Sequence, residues 1–212
     1  MRKLVIDLGH GGYDPGAVGK GGTKESDVVL KIGKYLESML KEVDLDVRFT
    51  RMSDKYVSLG DRVEFANNFG ADYFLSIHIN SASDSSVRGV EVWKYNNDDK
   101  HLNEFCSSLC NEISGIFNIR NRGVKLSKGL YVLKNTSMKA ALLEVDFISN
   151  NFWSTPSSFT YSCNFSSSIA SFLNPSPIRS SIKSVNSWLQ CINHLLNVIP
   201  FVLLLNFSGY IS

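Results

Sequence analysis

Two of the four histidines in this 212-residue chain stand where apolar runs give way to polar residues: His10 follows L-V-I-D-L-G and His78 follows Y-F-L-S-I. Glu25 lies beyond a loop, residues 10–24, whose six glycines let it fold back towards His10. Two imidazoles and one carboxylate are a common catalytic zinc set, with a fourth position left for water. Zn2+ in such a set polarises a carbonyl and brings the pKa of water towards about 7, which is the chemistry of amide or ester hydrolysis. Hydrolysis also needs a group that takes the proton of water and hands it to the leaving nitrogen. Glu144, in A-L-L-E-V-D-F, has apolar neighbours that raise a carboxyl pKa, and Asp146 shares its strand face by the period of two. Either carboxylate suits the role, and Glu144 is expected to lie deeper.

Each residue also has a plainer reading. A strand-end histidine can be a hydrogen-bonded structural residue, Glu25 a first-turn acid favoured by the helix dipole, and Glu144 a core carboxylate paired with Arg51 or Arg62. The glycine-rich loop fits neither G-x-G-x-x-G nor G-x-x-x-x-G-K-[ST], so a phosphate cradle is disfavoured. Asn80 is either a substrate hydrogen-bonder or a turn former. Arg122 and Lys125, read as loop residues before Leu130, either meet acidic substrate groups or are plain surface charge. His101 and His194 have no partner in the sequence pattern.

The elements that must position these groups alternate strand and helix. Residues 3–8 form an apolar run ending at Gly9 and predict a buried strand. Val28, Val29, Ile32, Tyr35, Leu36, Met39 and Leu40 recur at helical spacing and predict a helix over 25–43. Residues 45–50 predict a second strand. Ser58 caps a helix whose stripe of Leu59, Val63, Ala66 and Phe69 stops at Gly70. Residues 72–79 and 89–95 predict two more strands, and Leu102, Phe105, Cys106, Leu109, Ile113 and Ile116 a longer helix. Residues 130–133 predict a short strand and 140–147 the last one. This order implies an α/β fold with a mostly parallel twisted sheet of about five or six strands and helices on both faces. In such open sheets, sites are built at the carboxyl ends of the strands.

Composition excludes other classes. Twenty-two Lys and Arg against 20 Asp and Glu give a formal charge of +2, too even for a surface that lives on nucleic-acid phosphates or anionic lipid. Cys106 and Cys110 share one helix face, a poor geometry for a disulfide, and read with Cys163 and Cys191 as reduced thiols. The most apolar stretch, 195–207, carries Pro200 and is too short to span a bilayer, so no stable membrane insertion is expected. Only Leu4-Val5-Ile6 follows Met1-Arg2-Lys3 before Asp7, so no Sec signal is expected either.

Taken in order, D-L-G-H-G-G-Y-D-P-G-A-V-G, K-E-S-D, S-I-H-I-N-S-A and L-L-E-V-D-F-I-S-N resemble the zinc-dependent N-acetylmuramoyl-L-alanine amidases of the Amidase_3 type, found as autolysins, sporulation amidases and phage endolysins. Thr50-Arg51 and the L-x-x-R-x-x-x-A-N run over 59–67 match as well, and the likeness covers about residues 1–151. The resemblance implies that His10, Glu25 and His78 hold Zn2+ and that Glu144 is the catalytic carboxylate. It implies a peptidoglycan substrate, cut at the amide between N-acetylmuramic acid and L-alanine. With no Sec signal expected, the protein is expected to be made in the bacterial cytoplasm and to act on the wall after release. Two alternatives remain open at this stage: a catalytically inactive wall-binding prophage remnant, and a zinc peptidase acting within the stem peptide.

The chain divides by composition into 1–152, the expected catalytic domain with 174 as the outer bound of its close, and an atypical tail, 153–212. All 20 acidic residues precede Trp153, while four of the five prolines follow it and Ser fills 15 of the last 59 positions. Members of the resembled family continue into an amphipathic helix that closes the sheet. Here W-S-T-P-S-S-F-T-Y-S-C-N intervenes, and the tail suits an unselected or frameshifted reading of the gene.

Overall fold

The run K-L-V-I-D-L is apolar on both sides of the pleat because the strand it forms, β1 (Arg2–Leu8), is covered on both faces, with Leu4, Val5, Ile6 and Leu8 all fully buried. The computed structural model describes residues 1–41, 43–96 and 98–153, so the expectations for the tail, including Cys163, Cys191, His194 and the apolar run, lie outside the described residues. Within them the chain runs β1, α1 (Glu25–Leu40), β2 (Leu45–Phe49), α2 (Leu59–Phe69), β3 (Tyr73–Asn80), β4 (Val90–Lys94), α3 (Lys100–Phe117), β5 (Asn121–Leu126), α4 (Tyr131–Asn135) and β6 (Lys139–Phe147).

The six strands lie in the order β2-β1-β3-β6-β4-β5, and every neighbouring pair is parallel except β4 with β6. Helices cover both faces. Val28, Val29 and Ile32 of α1 and Phe105, Leu109 and Ile113 of α3 pack on Leu4, Ile6, Leu75, Ile77 and Leu143. On the other face Val63 and Ala66 of α2 and Val132 and Leu133 of α4 pack on Val5, Phe74 and Leu142. Alternate strand residues therefore belong to different layers. Cys106 and Cys110 are free and buried in α3, and burial pushes their thiols up to about 12 and about 11. No helix among the described residues is long and apolar enough to cross a membrane.

The expected caps form: Ser58 Oγ accepts from the Asp61 amide, and Gly70 closes α2 at φ 65°. Two expectations fail between α3 and β6. Residues 130–133 are not a strand; they enter α4, a five-residue helix too short to show a helical period, whose Val132 and Leu133 bury against the α2 face. The strand lies earlier, at β5, where a loop was expected. It is an edge strand, N-R-G-V-K-L, half-buried throughout its centre, and its charged residues hide the alternation that would mark it. The first helix also stops at Leu40, short of 43, leaving a brief turn before β2.

Candidate metal centre

β1 and β3 are parallel neighbours, so their carboxyl ends lie side by side and bring His10 and His78 together with ring centroids 4.9 Å apart and planes at 83°. Glu25, the first residue of α1, closes the group. Its Oε1 lies 3.1 Å from His10 Nε2 and 2.9 Å from His78 Nδ1. Its placement is fixed by backbone donors: the Ile79 amide donates to Oε1 at 3.0 Å and the Ala17 amide to Oε2 at 3.0 Å. One donor atom from each of the three residues falls within 4.8 Å of the others.

Burial opposes the Glu25 charge, but the hydrogen bonds and charges of His10 and His78 outweigh it and hold the carboxyl far below the usual range. Burial likewise opposes charge on His10, yet Glu25 and Asp14 together raise its pKa. Asp14 Oδ2 sits 2.9 Å from His10 Nδ1, which orients the ring so that Nε2 faces Glu25. Asp14 belongs to the D-P-G of the first motif, the one that carries His10. Its only signal in the sequence is the H-x-x-x-D spacing from His10.

The loop carrying His10 is held from below. His10 itself has φ 59°, in the left-handed region, and Arg62 Nη2 donates to its carbonyl at 2.9 Å. Arg51 donates to the carbonyls of Leu8 and Gly9, at 2.9 and 2.7 Å. Arg62 also pairs with buried Asp7 at 2.6 Å, and Asp7 accepts from the hydroxyls of Thr50 and Ser76. Both arginines are thus engaged by backbone carbonyls and Asp7, and neither pairs with Glu144. Glycine is needed at two points of close approach. A Cβ on Gly9 would stand 2.3 Å from the His78 ring, and one on Gly16, at φ 66°, 2.6 Å from Glu25 Oε2.

Glu144 is the register partner of His78 across β3 and β6. Its Oε2 is buried and has no hydrogen-bond partner among the described residues. Burial pushes the Glu144 carboxyl up to about 7, with the nearby charges of His78 and Glu25 acting in opposite directions. Asp146 does not share this environment. A register shift between His78 and Asn80 breaks the period of two, and Asp146 turns to accept from Arg88 at 2.7 Å and from the Gly89 amide at 2.9 Å. It is also the more enclosed of the two, 2% exposed, where Glu144 is half-buried.

On β4, Glu91 is the register partner of Glu144, and it gathers residues that lie far apart in the sequence. It accepts from Asn80 Nδ2 at 2.9 Å, Trp93 Nε1 at 3.1 Å, Arg122 Nε at 3.0 Å and Lys125 Nζ at 2.5 Å. Asn80 Oδ1 accepts from the Ser81 amide, so its side chain is engaged locally. His101 lies on α3, 3.7 Å from Glu104 and away from this group.

Two nitrogens and one oxygen converging around glycine cradles suit a small divalent cation of the zinc type. A family model described as N-acetylmuramoyl-L-alanine amidase, Amidase_3, matches residues 4–152. The chain is 38% identical over 150 residues to a sporulation-specific N-acetylmuramoyl-L-alanine amidase of Bacillus subtilis, covering 70% of this chain and 57% of that protein. It is 44% identical over 96 residues to the N-acetylmuramoyl-L-alanine amidase AmiA of Escherichia coli, covering 45% of this chain and 33% of the relative. It thus spans less than two thirds of either relative. The solved catalytic domain of CwlV, an N-acetylmuramoyl-L-alanine amidase from Bacillus (Paenibacillus) polymyxa, superposes with a TM-score of 0.75 at 26% identity, covering 98% of this chain and 99% of that one. With these motifs on this sheet and the family model matched across residues 4–152, the chain belongs to the Amidase_3 family.

Proposed function

We propose that the chain hydrolyses the amide between N-acetylmuramic acid and L-alanine in peptidoglycan, and that it acts on the cell wall. The observation that carries this reading is the convergence of His10, Glu25 and His78 beside a buried, unpartnered Glu144 Oε2. His10, Glu25 and His78 would hold Zn2+, which supplies Lewis acidity to a carbonyl and to water.

The residues of the chain do the rest. Glu25, fixed by two backbone amides, keeps the imidazoles aimed at one point, and Asp14 holds the His10 tautomer. Glu144 Oε2 accepts a proton from the attacking water and delivers it to the amide nitrogen as the C–N bond breaks. The carboxylate is regenerated, and the products are a lactyl carboxylate on the sugar and a free amine on alanine. A carboxylate without a competing donor is free for both transfers, which is why Glu144 is favoured over Asp146.

The test is release of new N-terminal alanine from purified peptidoglycan, with and without chelator, and with Glu144→Gln. We expect chelator-sensitive release, and a fall of about 10²- to 10⁴-fold in Glu144→Gln while zinc stays bound. A folded, zinc-loaded protein that releases nothing from several wall types overturns the reading. Cleavage between amino acids instead makes the chain a stem-peptide peptidase.

A further inference from the structure

On the face of β4 and β5 next to Glu144, two cations share one buried anion. Glu91 is 2% exposed, and it accepts from both Arg122 Nε and Lys125 Nζ on its Oε2. One carboxylate offset by two cations leaves a local charge of +1. Neither Arg122 nor Lys125 has a second carboxylate partner among the described residues. Both side chains remain about a third exposed, at 27% and 32%. They are also held in place laterally: the Arg122 guanidinium lies over the Phe147 ring at 5.0 Å and the Lys125 ammonium over the Trp93 ring at 5.1 Å.

This is more than a pair of surface charges. Arg122 is bound through Nε alone, so its two terminal nitrogens have no hydrogen-bond partner among the described residues. A guanidinium immobilised at one edge presents its other edge as a planar, two-donor fork, which matches a carboxylate. Gly89, at φ 132°, lets the arm pass, since a Cβ there would meet Arg122 Cδ at 2.9 Å.

Position then selects the ligand. β4 stands between β6, which carries Glu144, and β5, which carries Arg122 and Lys125. Two strand spacings put β5 about 10 Å from β6, the strand of Glu144. An extended peptide advances about 3.3–3.6 Å per residue, so a carboxylate on the second residue from the cut falls within reach of the Arg122 side chain.

Resting on the amidase reading, we propose that Arg122 and Lys125 form a specificity site for a free carboxylate on the peptide side of the scissile amide, with Glu91 as its positioning residue. The site admits a stem peptide whose second residue bears a carboxylate and disfavours the same peptide bearing a neutral carboxamide there. The scissile amide is thereby oriented with its peptide half across β4 and β5, and its sugar half over the opposite side of the histidine pair.

The experiment compares kcat and KM of the full, zinc-loaded chain on two muropeptides that differ only in that group, L-alanyl-D-isoglutamate against L-alanyl-D-isoglutamine stems on the same sugar. We expect kcat/KM to favour the carboxylate by about ten- to a hundredfold, the value of a charge-assisted hydrogen bond. Arg122→Gln should collapse this ratio towards one, mainly through KM. Lys125→Gln, at a more exposed side chain, should narrow it without removing it. Equal cleavage of both substrates by the wild-type chain, or a ratio unchanged in both variants, overturns the specificity site and leaves the amidase reading standing. Cleavage of neither substrate overturns the amidase reading and the site with it.

Discussion

The two halves of the sheet solve the problem of placing charge in different ways. In the parallel half, β2-β1-β3, the functional groups rest on a fully enclosed scaffold: Asp7, Arg51, Arg62, Thr50 and Ser76 are all buried, Asp7 gathers Arg62, Thr50 and Ser76, and the two arginines reach the carbonyls of Leu8, Gly9 and His10. In the other half, β6-β4-β5, the antiparallel pair brings Glu144 beside Glu91, and the compensating cations come from a half-exposed edge strand. The first arrangement favours a fixed point, as the proposed metal ligands would require. The second leaves one oxygen unpaired and two cations accessible, as the proposed proton transfer and carboxylate recognition would require.

The largest effect that tests this contrast is on stability. Arg62→Met removes the partner of buried Asp7 and the donor to the Leu8 and His10 carbonyls. We expect a loss of about 3–5 kcal/mol in urea denaturation, because an uncompensated buried charge remains. Lys125→Met, at a side chain 32% exposed, should cost about 1 kcal/mol or less. Similar losses for the two would erase the distinction between an enclosed and an open half.

The same contrast explains what could be read from the sequence. β1, β3 and β6 are buried on both faces, so their apolar runs stand out, and the polar residues at their carboxyl ends, His10 and His78, mark themselves by position. Glu25 could be found because the loop before it is rich in glycine. Ser58 and Gly70 bound α2 with local signals that need no tertiary context. The edge was illegible for the opposite reason. N-R-G-V-K-L owes its strand to pairing with β4, not to its own pattern, and Arg122 and Lys125 look like loop charges until Glu91 is seen beneath them. Asp146 was misjudged because one register shift turns its side chain from the face of Glu144 to Arg88. The scaffold under β1 was equally hidden, since nothing near Asp7 in the chain announces that Arg62 will reach it.

A smaller effect is expected at Asp14, which supports the metal half without belonging to the donor set. Asp14→Asn keeps the volume but weakens the hold on His10 Nδ1, a contact of 2.9 Å. Zinc affinity, measured by competition with a chromophoric chelator, should fall by about 10- to 100-fold, with folding stability little changed. Unchanged affinity would mean that the backbone contacts of the loop alone set the His10 ring, and that the enclosed scaffold extends up to the ligand itself.

The smallest effect concerns Glu91 and reads the electrostatics of the open half. Burial by itself would raise the Glu91 pKa, but the hydrogen bonds of Lys125 and Arg122 outweigh it and lower the carboxyl below its usual value. A carboxyl whose folded pKa is depressed contributes stability above its unfolded pKa, about 4.3, and that contribution is lost as the pH falls towards the folded value. Glu91→Gln lacks the contribution at every pH. The gap in Tm between the wild-type chain and the variant should therefore be widest near pH 7 and should close as the pH falls below about 4. A gap of constant size across that range would assign the role of Glu91 to packing and neutral hydrogen bonds, and Arg122 and Lys125 would then be positioned by their ring contacts with Phe147 and Trp93 instead of by a buried charge.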